Sequence, residues 1–365
     1  MRLTSLAVLV WGFAACDAER EAIGSTSPSP EVAALSRLEL GALRLRPAAS
    51  VQALPSRPTA APGDEGPPSL SVGPPQRGEL LGGRELLPRP GLSLLPNALR
   101  RQATWGTPAL VGLIERAAAA VANDHPGSTL WVGDLSKQNG GPFAPHASHQ
   151  SGRDVDLAFY LSTPDGGFAD PPQMAAVSGD GRSGGLEFDL ERNWRLVEAM
   201  LTDEVAQVQW IFVANHIRAA LLDHGRRVGS PLVSRAERVL LEPRDSSPHA
   251  DHYHVRIYCG LEDRLNGCLD APPFHPWVDR HDKALSEWLD GLLPLLERPH
   301  QPETAQAIEA IVRMNASSAV PELLDLAERG ADPELAELAR DAASFLSGRR
   351  TREGWERWRP RELGH

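Results

Sequence analysis

Residues 154–161 read DVDLAFYL, and polar and apolar residues alternate along this stretch. Successive side chains of a β-strand point to opposite faces, so the pattern predicts a strand with Asp154 and Asp156 on one face and an apolar, core-facing side on the other. The same alternation in HYHVRIYC at residues 252–259 predicts a second strand with its histidines on one face. If the two strands lie side by side, carboxylates and imidazoles share a common polar surface.

The sequence around these two stretches predicts further helices and strands in alternation. Amphipathic patterns predict helices at residues 107–123, 188–202 and 216–227, and apolar runs predict strands at residues 128–135 and 207–213. Because the elements are mixed and the loops between them are long, we predict an α+β fold rather than a regular doubly wound sheet. We place this domain at residues 82–275.

The chain after Pro276 is expected to be helical up to about residue 350. Helices are predicted at residues 282–296, 303–314, 320–329 and 333–346. The last three resemble a HEAT-type helical pair with an extra helix, although such repeats need about three or more units to bury their faces. A helical cap packed on the main domain is the alternative, and a tail that binds a protein partner is compatible with both. Residues 351–365 form a polar tail without a structural pattern.

The first residues predict export. A basic start is followed by an apolar run at residues 3–15, which is too short to span a bilayer but suits a signal peptide. The run ends in FAAC, which resembles a bacterial lipobox except that Phe13 stands where leucine is usual. We therefore expect a signal peptide at residues 1–16, lipidation of Cys16, and a periplasmic protein anchored to a membrane by lipid. An ordinary cleaved signal is the alternative.

The composition and the net charge of the chain indicate where it is globular and which class of partner it does not bind. Hydrophobic residues make up 41% of the chain, which is enough for a globular core. Residues 17–81, by contrast, are rich in proline and alanine and are expected to form a disordered linker. The formal net charge of -11 argues against nucleic acid as a partner, because phosphate binding requires a basic face.

The cysteine count agrees with export. Three cysteines are present, and if lipid occupies Cys16, the other two are Cys259 and Cys268. They lie close enough in the sequence to close a short disulfide loop in an oxidising compartment, with two free thiols as the alternative.

Histidines and aspartates concentrate in two segments. Five of the twelve histidines fall in HASHQSGRDVD and HADHYHVR, each of which leads into one of the two predicted strands. His149 precedes the first strand, and Gly152 allows the chain to fold it back towards Asp156. Three ligands of the types His, Asp and His suit a catalytic zinc ion, which keeps a fourth position for water. We therefore predict that His149, Asp156 and His254 hold Zn²⁺; buried carboxylates and histidines that bond only to one another are the alternative.

The general base of such a site is not provided by the common metallopeptidase signature. No His-Glu-x-x-His occurs in the sequence, so no helix supplies two ligands with an adjacent glutamate. His252 and His249, which flank His254, are the candidate bases.

Longer motifs carry a resemblance to a known family. They are WVGDLS at residues 131–136, the Gly140-Gly141 pair, HASHQSGRDVDLAFY at residues 146–160 and DHYHVRIYC at residues 251–259. Over about residues 82–270 the chain resembles the penicillin-insensitive murein endopeptidases, which are relatives of the D-alanyl-D-alanine and lysostaphin-type zinc peptidases.

The resemblance implies a role for each site residue. His149, Asp156 and His254 match the zinc ligands of the family, and His252 matches the histidine beside the zinc water, a general base. His249 matches another histidine that the family needs. His146 is similar to a position that binds a second zinc ion, whereas Asp154 is expected to support the ligands from the same face. The pair Cys259–Cys268 resembles a disulfide loop of the family.

The resemblance also implies a fold, which is a small antiparallel sheet flanked by helices and long loops. It implies a reaction and a substrate as well. The expected reaction is hydrolysis of the D-alanyl–diaminopimelate cross-link of peptidoglycan by a metal-activated water. A D,D-carboxypeptidase or dipeptidase is the alternative within enzymes, because the His–Asp–His core alone does not separate them. A non-catalytic cell-wall binding lipoprotein is the alternative from another class.

Overall fold

The computed structural model describes residues 69–243, 246–297, 302–330 and 332–348. The predicted signal peptide with the lipidation site Cys16, the linker as far as residue 68, and the polar tail at residues 351–365 lie outside the described residues.

Helices and strands are interleaved along the described chain. In chain order, the strands are β1 (Leu70–Val72), β2 (Glu79–Leu81), β3 (Arg84–Glu85), β4 (Leu92–Leu94), β5 (Trp105–Gly106), β6 (Leu130–Val132), β7 (Asp154–Ala158), β8 (Leu161–Ser162), β9 (Arg182–Ser183), β10 (Leu186–Phe188), β11 (Val208–Phe212), β12 (Leu240–Leu241) and β13 (His252–Ile257). The α-helices are α1 (Pro96–Arg101), α2 (Pro108–Asp124), α3 (Leu190–Leu201), α4 (Asn215–Arg227), α5 (Val233–Val239), α6 (Leu261–Leu265), α7 (Asp282–Leu296), α8 (Pro302–Arg313), α9 (Val320–Arg329) and α10 (Pro333–Leu346). The predicted α+β class is confirmed.

A six-stranded sheet has the strand order β12–β11–β13–β7–β6–β4. Its four inner strands pair antiparallel, but β12 and β4 at the two edges run parallel to their neighbours. The sheet is therefore mixed, and the predicted antiparallel arrangement holds only for its centre. Helices account for the difference, because α2 connects β4 to β6 and α4 with α5 connects β11 to β12. Such helical crossovers return the chain in the same direction.

One face of this sheet packs against helices and forms the core. The apolar side chains of β7 and β13 are almost completely buried there, together with apolar residues of α2 and α3. Side chains at the helix starts accept the hydrogen bonds that the first turns leave open: Thr107 caps α2 and Asp189 caps α3. The core occupies one face, so the opposite face of β7 and β13 is left for the polar residues of the alternating pattern.

Ordered structure begins earlier than the predicted boundary at residue 82. β1 pairs with β2 inside the segment that was assigned to the linker, and Val72 and Leu80 are buried. The cause is a buried partner from the domain: the Arg153 guanidinium donates to Ser71 Oγ over 3.0 Å. A contact between segments so far apart cannot be predicted from the local composition of a proline-rich stretch. The predicted linker therefore extended too far towards the domain.

The C-terminal helices α7 to α10 agree with the predicted positions within one residue at each end. They pack on one another, and α8 also contacts α6 of the sheet domain. A HEAT-like arrangement is not shown. Within the described residues, no helix combines the length and the apolar character that crossing a membrane requires.

Candidate metal centre

The polar faces of β7 and β13 meet at the centre of the sheet. In the antiparallel register, His254 lies opposite Asp156, and Arg256 lies opposite Asp154. Directly opposite residues project to the same face, with Cβ atoms about 5 Å apart. The predicted common surface of carboxylates and imidazoles is therefore present.

Asp156 lies at the middle of this surface and is surrounded by imidazole nitrogens. Its Oδ1 is 3.3 Å from His149 Nε2, 3.4 Å from His254 Nδ1 and 3.6 Å from His252 Nε2. All four residues thus direct one polar atom towards the same small volume.

His149 reaches this volume through a tight turn before β7. His149 and Gly152 both adopt positive φ, of 65° and 71°, a backbone region that glycine enters without strain. His149 Nδ1 donates to the carbonyl oxygen of Leu135 over 2.6 Å. Because one ring nitrogen is the donor, the other, Nε2, keeps its lone pair and faces Asp156.

Two buried atoms of this pair have no hydrogen-bond partner among the described residues. They are His149 Nε2 and Asp156 Oδ1, and His149 is completely buried. An unsatisfied buried polar group costs about 1–3 kcal/mol, and a buried carboxylate oxygen beside an imidazole lone pair is a pairing that a cation satisfies. These residues fit a bound metal ion.

His254 is oriented by its second ring nitrogen. Its Nε2 donates to Asp154 Oδ1 over 2.9 Å, which leaves Nδ1 to face Asp156. Arg256 Nε donates to the same oxygen over 2.6 Å. Asp154 is completely buried, so its carboxylate has the position expected of a group that supports a metal ligand from behind.

His252 and His249 are neighbouring histidines, and His252 also approaches Asp156. His252 Nδ1 donates to Asp251 Oδ1 over 2.7 Å, and its Nε2 faces the centre. His249 adopts a positive φ of 54°, and its Nδ1 donates to the carbonyl oxygen of Ser247 over 2.6 Å. The ring centroids of His249 and His252 are 4.9 Å apart. The two predicted bases therefore adjoin one another and the candidate ligands.

His146 approaches the other carboxylate oxygen of Asp156. Its Nε2 donates to Asp134 Oδ2 over 2.8 Å, and its Nδ1 is 3.8 Å from Asp156 Oδ2. Donor atoms of His146, His149 and Asp156 lie within 4.8 Å of one another, which makes these residues a candidate metal-binding group. This group shares two members with the predicted ligand set and has His146 in place of His254.

The electrostatics of the centre separate its histidines. Burial alone would lower the pKa of His149, but the carboxylates of Asp156 and Asp154 outweigh it and raise the pKa to about 9. Burial lowers the pKa of His254 to about 4, although Asp154 opposes this. The pKa values of both aspartates fall well below the ordinary value despite burial, with Arg256 acting on Asp154 and His149 on Asp156. The carboxylates thus stabilise positive charge at His149 Nε2, whether a proton or a metal ion occupies its lone pair.

The two outer histidines shift in opposite directions. Burial opposes charge on His252, but its hydrogen bond to Asp251 and the nearby Asp156 raise its pKa. Burial and the neighbouring His252 lower the pKa of His249. Two neighbouring groups with pKa values shifted in opposite directions can act separately as proton donor and proton acceptor, and His252 and His249 are such a pair.

Three polar partners of the centre were not predicted from the sequence. Asp134 binds His146 and also accepts from Arg101 Nη1 over 2.5 Å, and Asp251 binds His252. Asp251 adjoins a predicted base in the sequence, and Asp134 lies within the WVGDLS motif, so both could have been considered. Arg101, on α1, has no sequence signal that connects it with the site.

The predicted disulfide between Cys259 and Cys268 is present. It joins the residue two positions after β13 to the loop that follows α6.

Comparison with known proteins agrees with this centre. The sequence pattern of the penicillin-insensitive murein endopeptidases matches residues 71–322, which include every residue of the centre and extend beyond the predicted domain at both ends. The chain belongs to the penicillin-insensitive murein endopeptidase family. It is therefore a member of a metallopeptidase family.

Curated members of the family have similar sequences. The penicillin-insensitive murein endopeptidase of Klebsiella pneumoniae is 31% identical over 245 residues, which cover 62% of this chain and 81% of the relative. Those of Shigella sonnei and Escherichia coli K12 are 31% and 30% identical over 202 residues, covering 54% of this chain and 68% of each relative.

Proposed function

We propose that this protein is a zinc-dependent murein endopeptidase that hydrolyses the D-alanyl–diaminopimelate cross-link of peptidoglycan. The observation that carries the proposal is the buried pair His149 Nε2 and Asp156 Oδ1, which no described group satisfies and which His254 Nδ1 adjoins. The family membership supports the substrate class.

We assign His149, Asp156 and His254 as the ligands of the proposed zinc ion. Tetrahedral zinc with bonds of 2.0–2.1 Å separates its ligand atoms by about 3.3 Å. Asp156 Oδ1 is 3.3 Å from His149 Nε2 and 3.4 Å from His254 Nδ1. His146 Nδ1 lies farther away, at 3.8 Å, and faces the other oxygen of Asp156. It therefore supports the centre or contributes to a second metal site.

The zinc ion, when bound, would supply Lewis-acid polarisation of the scissile carbonyl and of the attacking water. His252 Nε2 faces the centre and is placed to take the proton of that water. Asp251 holds the opposite side of the ring and stabilises the imidazolium that results. His252, with His249 beside it, then returns a proton to the leaving amine. Asp154 keeps the His254 tautomer that leaves Nδ1 free.

A muropeptide digest with metal analysis tests the proposal. The purified zinc-loaded protein should convert cross-linked dimers into monomers without releasing free D-alanine. The His252→Ala variant should retain zinc but lose about 10²–10⁴-fold in rate, the range of general acid–base catalysis. Release of D-alanine from monomers would instead identify a D,D-carboxypeptidase. Binding to peptidoglycan without hydrolysis would identify a non-catalytic wall protein.

The proposed site of action is the periplasm, with a lipid anchor at Cys16. The family acts on the cell wall, and the first sixteen residues have the pattern of a lipoprotein signal. Metabolic labelling with a fatty acid tests this: the wild-type protein should be labelled and sediment with membranes, and the Cys16→Ser variant should do neither.

A further inference from the structure

The metal centre continues into an aromatic surface on the neighbouring strand. β11 pairs with β13, and in this register Phe212 lies opposite His254 and Trp210 lies opposite Arg256. Opposite residues share a face of the sheet, so both rings project to the side that carries the metal centre. We call Trp210 and Phe212 the aromatic ledge.

The ledge does not belong to the hydrophobic core. Ile211, between the two aromatic residues, is completely buried in the core on the other face. Trp210 and Phe212 are only half-buried, and neither is among the described residues packed against that core. Two large aromatic side chains thus face outwards beside the catalytic residues, where packing does not require them.

The ledge is continuous with the catalytic residues. The Phe212 ring centroid lies 5.5 Å from that of His254 and 6.2 Å from that of His249. The rings of Phe212 and Trp210 are stacked, with centroids 5.5 Å apart. Among the described residues, the ring contacts of Trp210 are with Phe212 and with His275, 6.1 Å away, and none is with a proposed ligand or base.

We propose that the aromatic ledge binds the stem peptide next to the scissile bond and thereby selects extended cross-linked substrates. This inference rests on the proposed function and adds a substrate-binding subsite to it. The two ledge residues are about 7 Å apart along the strand, a length that an extended peptide covers with about two residues. Stem peptides expose methyl and methylene groups, and the negative faces of aromatic rings attract such C–H groups. The ledge lies close to the metal centre, where the scissile bond would be held. The stem peptide is nearer to that bond than the sugar is, so the peptide is the favoured occupant.

Kinetics with substrates of two lengths test the ledge. One substrate carries complete stem peptides on both sides of the cross-link, and the other carries only the residues that flank the scissile bond. In Trp210→Ala, KM for the long substrate should rise about tenfold, kcat should change less than twofold, and the preference for the long substrate should disappear. Trp210→Phe should recover part of the loss, and bound zinc should remain at the wild-type level.

Trp277→Ala is the matched control. Trp277 stacks on His275 with centroids 4.7 Å apart and packs against the core, so its loss should lower the melting temperature without a rise in KM. Equal losses on both substrates in Trp210→Ala would overturn the proposal. So would a loss that appears only when a disaccharide is attached, because the ledge would then bind the sugar.

Calorimetry separates this inference from the proposed reaction. In the His252→Ala background, binding of the uncleaved long substrate should weaken about tenfold when Trp210→Ala is added. A Trp210-dependent Kd without cross-link hydrolysis in the wild-type protein would retain the ledge and refute the reaction. Hydrolysis of the cross-link by the wild-type protein, with a Kd that Trp210→Ala does not change, would retain the reaction and refute the ledge.

Discussion

At the scale of single residues, Asp154 explains how a histidine of the centre is oriented. It is completely buried and accepts hydrogen bonds from His254 and Arg256. The alternating pattern in DVD had already placed Asp154 and Asp156 on one face. The sequence alone could not assign the partners, because His254 is 100 residues away along the chain.

The Asp154→Asn variant tests this arrangement. The amide lacks the negative charge that holds His254 and Arg256, so we expect zinc affinity to fall about 10- to 100-fold. Competition with a chromophoric chelator measures the affinity. Asp165→Asn is the control, because Asp165 is exposed and accepts a hydrogen bond from Thr163, which is not a residue of the centre. Equal zinc affinities of the wild-type and Asp154→Asn proteins would contradict the role.

The carboxyl group of Asp263 should make the free energy of unfolding depend on pH. Its carboxylate accepts from the backbone N–H groups of Ser71 and Gly260, but burial raises its pKa to about 6. The folded state therefore holds this proton more tightly than the unfolded chain does. Its contribution to the free energy of unfolding is greatest below about pH 4 and is lost as the pH rises through 6.

Comparison with Asp263→Asn isolates this effect from other titrating groups. Urea unfolding at several pH values between 4 and 7 should show the wild-type protein losing stability relative to the variant as the pH rises. A difference that does not change with pH would refute the assignment.

At the scale of elements, the disulfide holds the end of β13 against the loop that follows α6. Asp270 in this loop accepts from Cys259 N and from Arg153 Nη1, and Arg153 also donates to Ser71 of β1. The disulfide thus contributes to an arrangement that connects β1 to the start of β7.

Reduction of this disulfide should destabilise the domain. Chain entropy predicts a loss of about 2–3 kcal/mol for a loop of this size, measured by chemical unfolding with and without a reductant. The double variant Cys259→Ser, Cys268→Ser should be equally destabilised and insensitive to reductant. Unfolding curves of the wild-type protein that do not respond to reductant would contradict this expectation.

Most long elements could be predicted from periodicity, and most short ones could not. The helix predicted at residues 282–296 has the observed bounds of α7, because many residues contribute to its pattern. β1 and β2 have three residues each and depend on buried contacts with distant segments. Local preference is too weak over three residues to outweigh the surrounding prolines and glycines.

At the scale of the whole molecule, the C-terminal helices do not contribute to the core cluster under the sheet. The buried apolar residues of α7 to α10 are absent from the core cluster that supports the sheet. Their described contact with the sheet domain includes the packing of α8 on α6. We infer that the C-terminal helices stabilise or extend the domain and do not build the metal centre. That they bind a protein partner stays a prediction.

A chain that ends after Arg280 tests this separation. We expect it to fold, to bind zinc with the affinity of the full chain, and to retain kcat/KM within about threefold, with a lower melting temperature. An insoluble or metal-free product would show that the tail is part of the catalytic domain.

The sequence by itself determined the two alternating strands and the residues on their polar faces, and it was enough to propose His149, Asp156 and His254 as ligands. These properties are local, because a period of two places side chains without reference to the rest of the chain. The tertiary structure alone decided the register that sets His254 opposite Asp156, the turn that brings His149 to them, and the partners Asp134 and Arg101. These depend on pairing and burial between segments far apart in the chain, and local pattern does not encode such contacts.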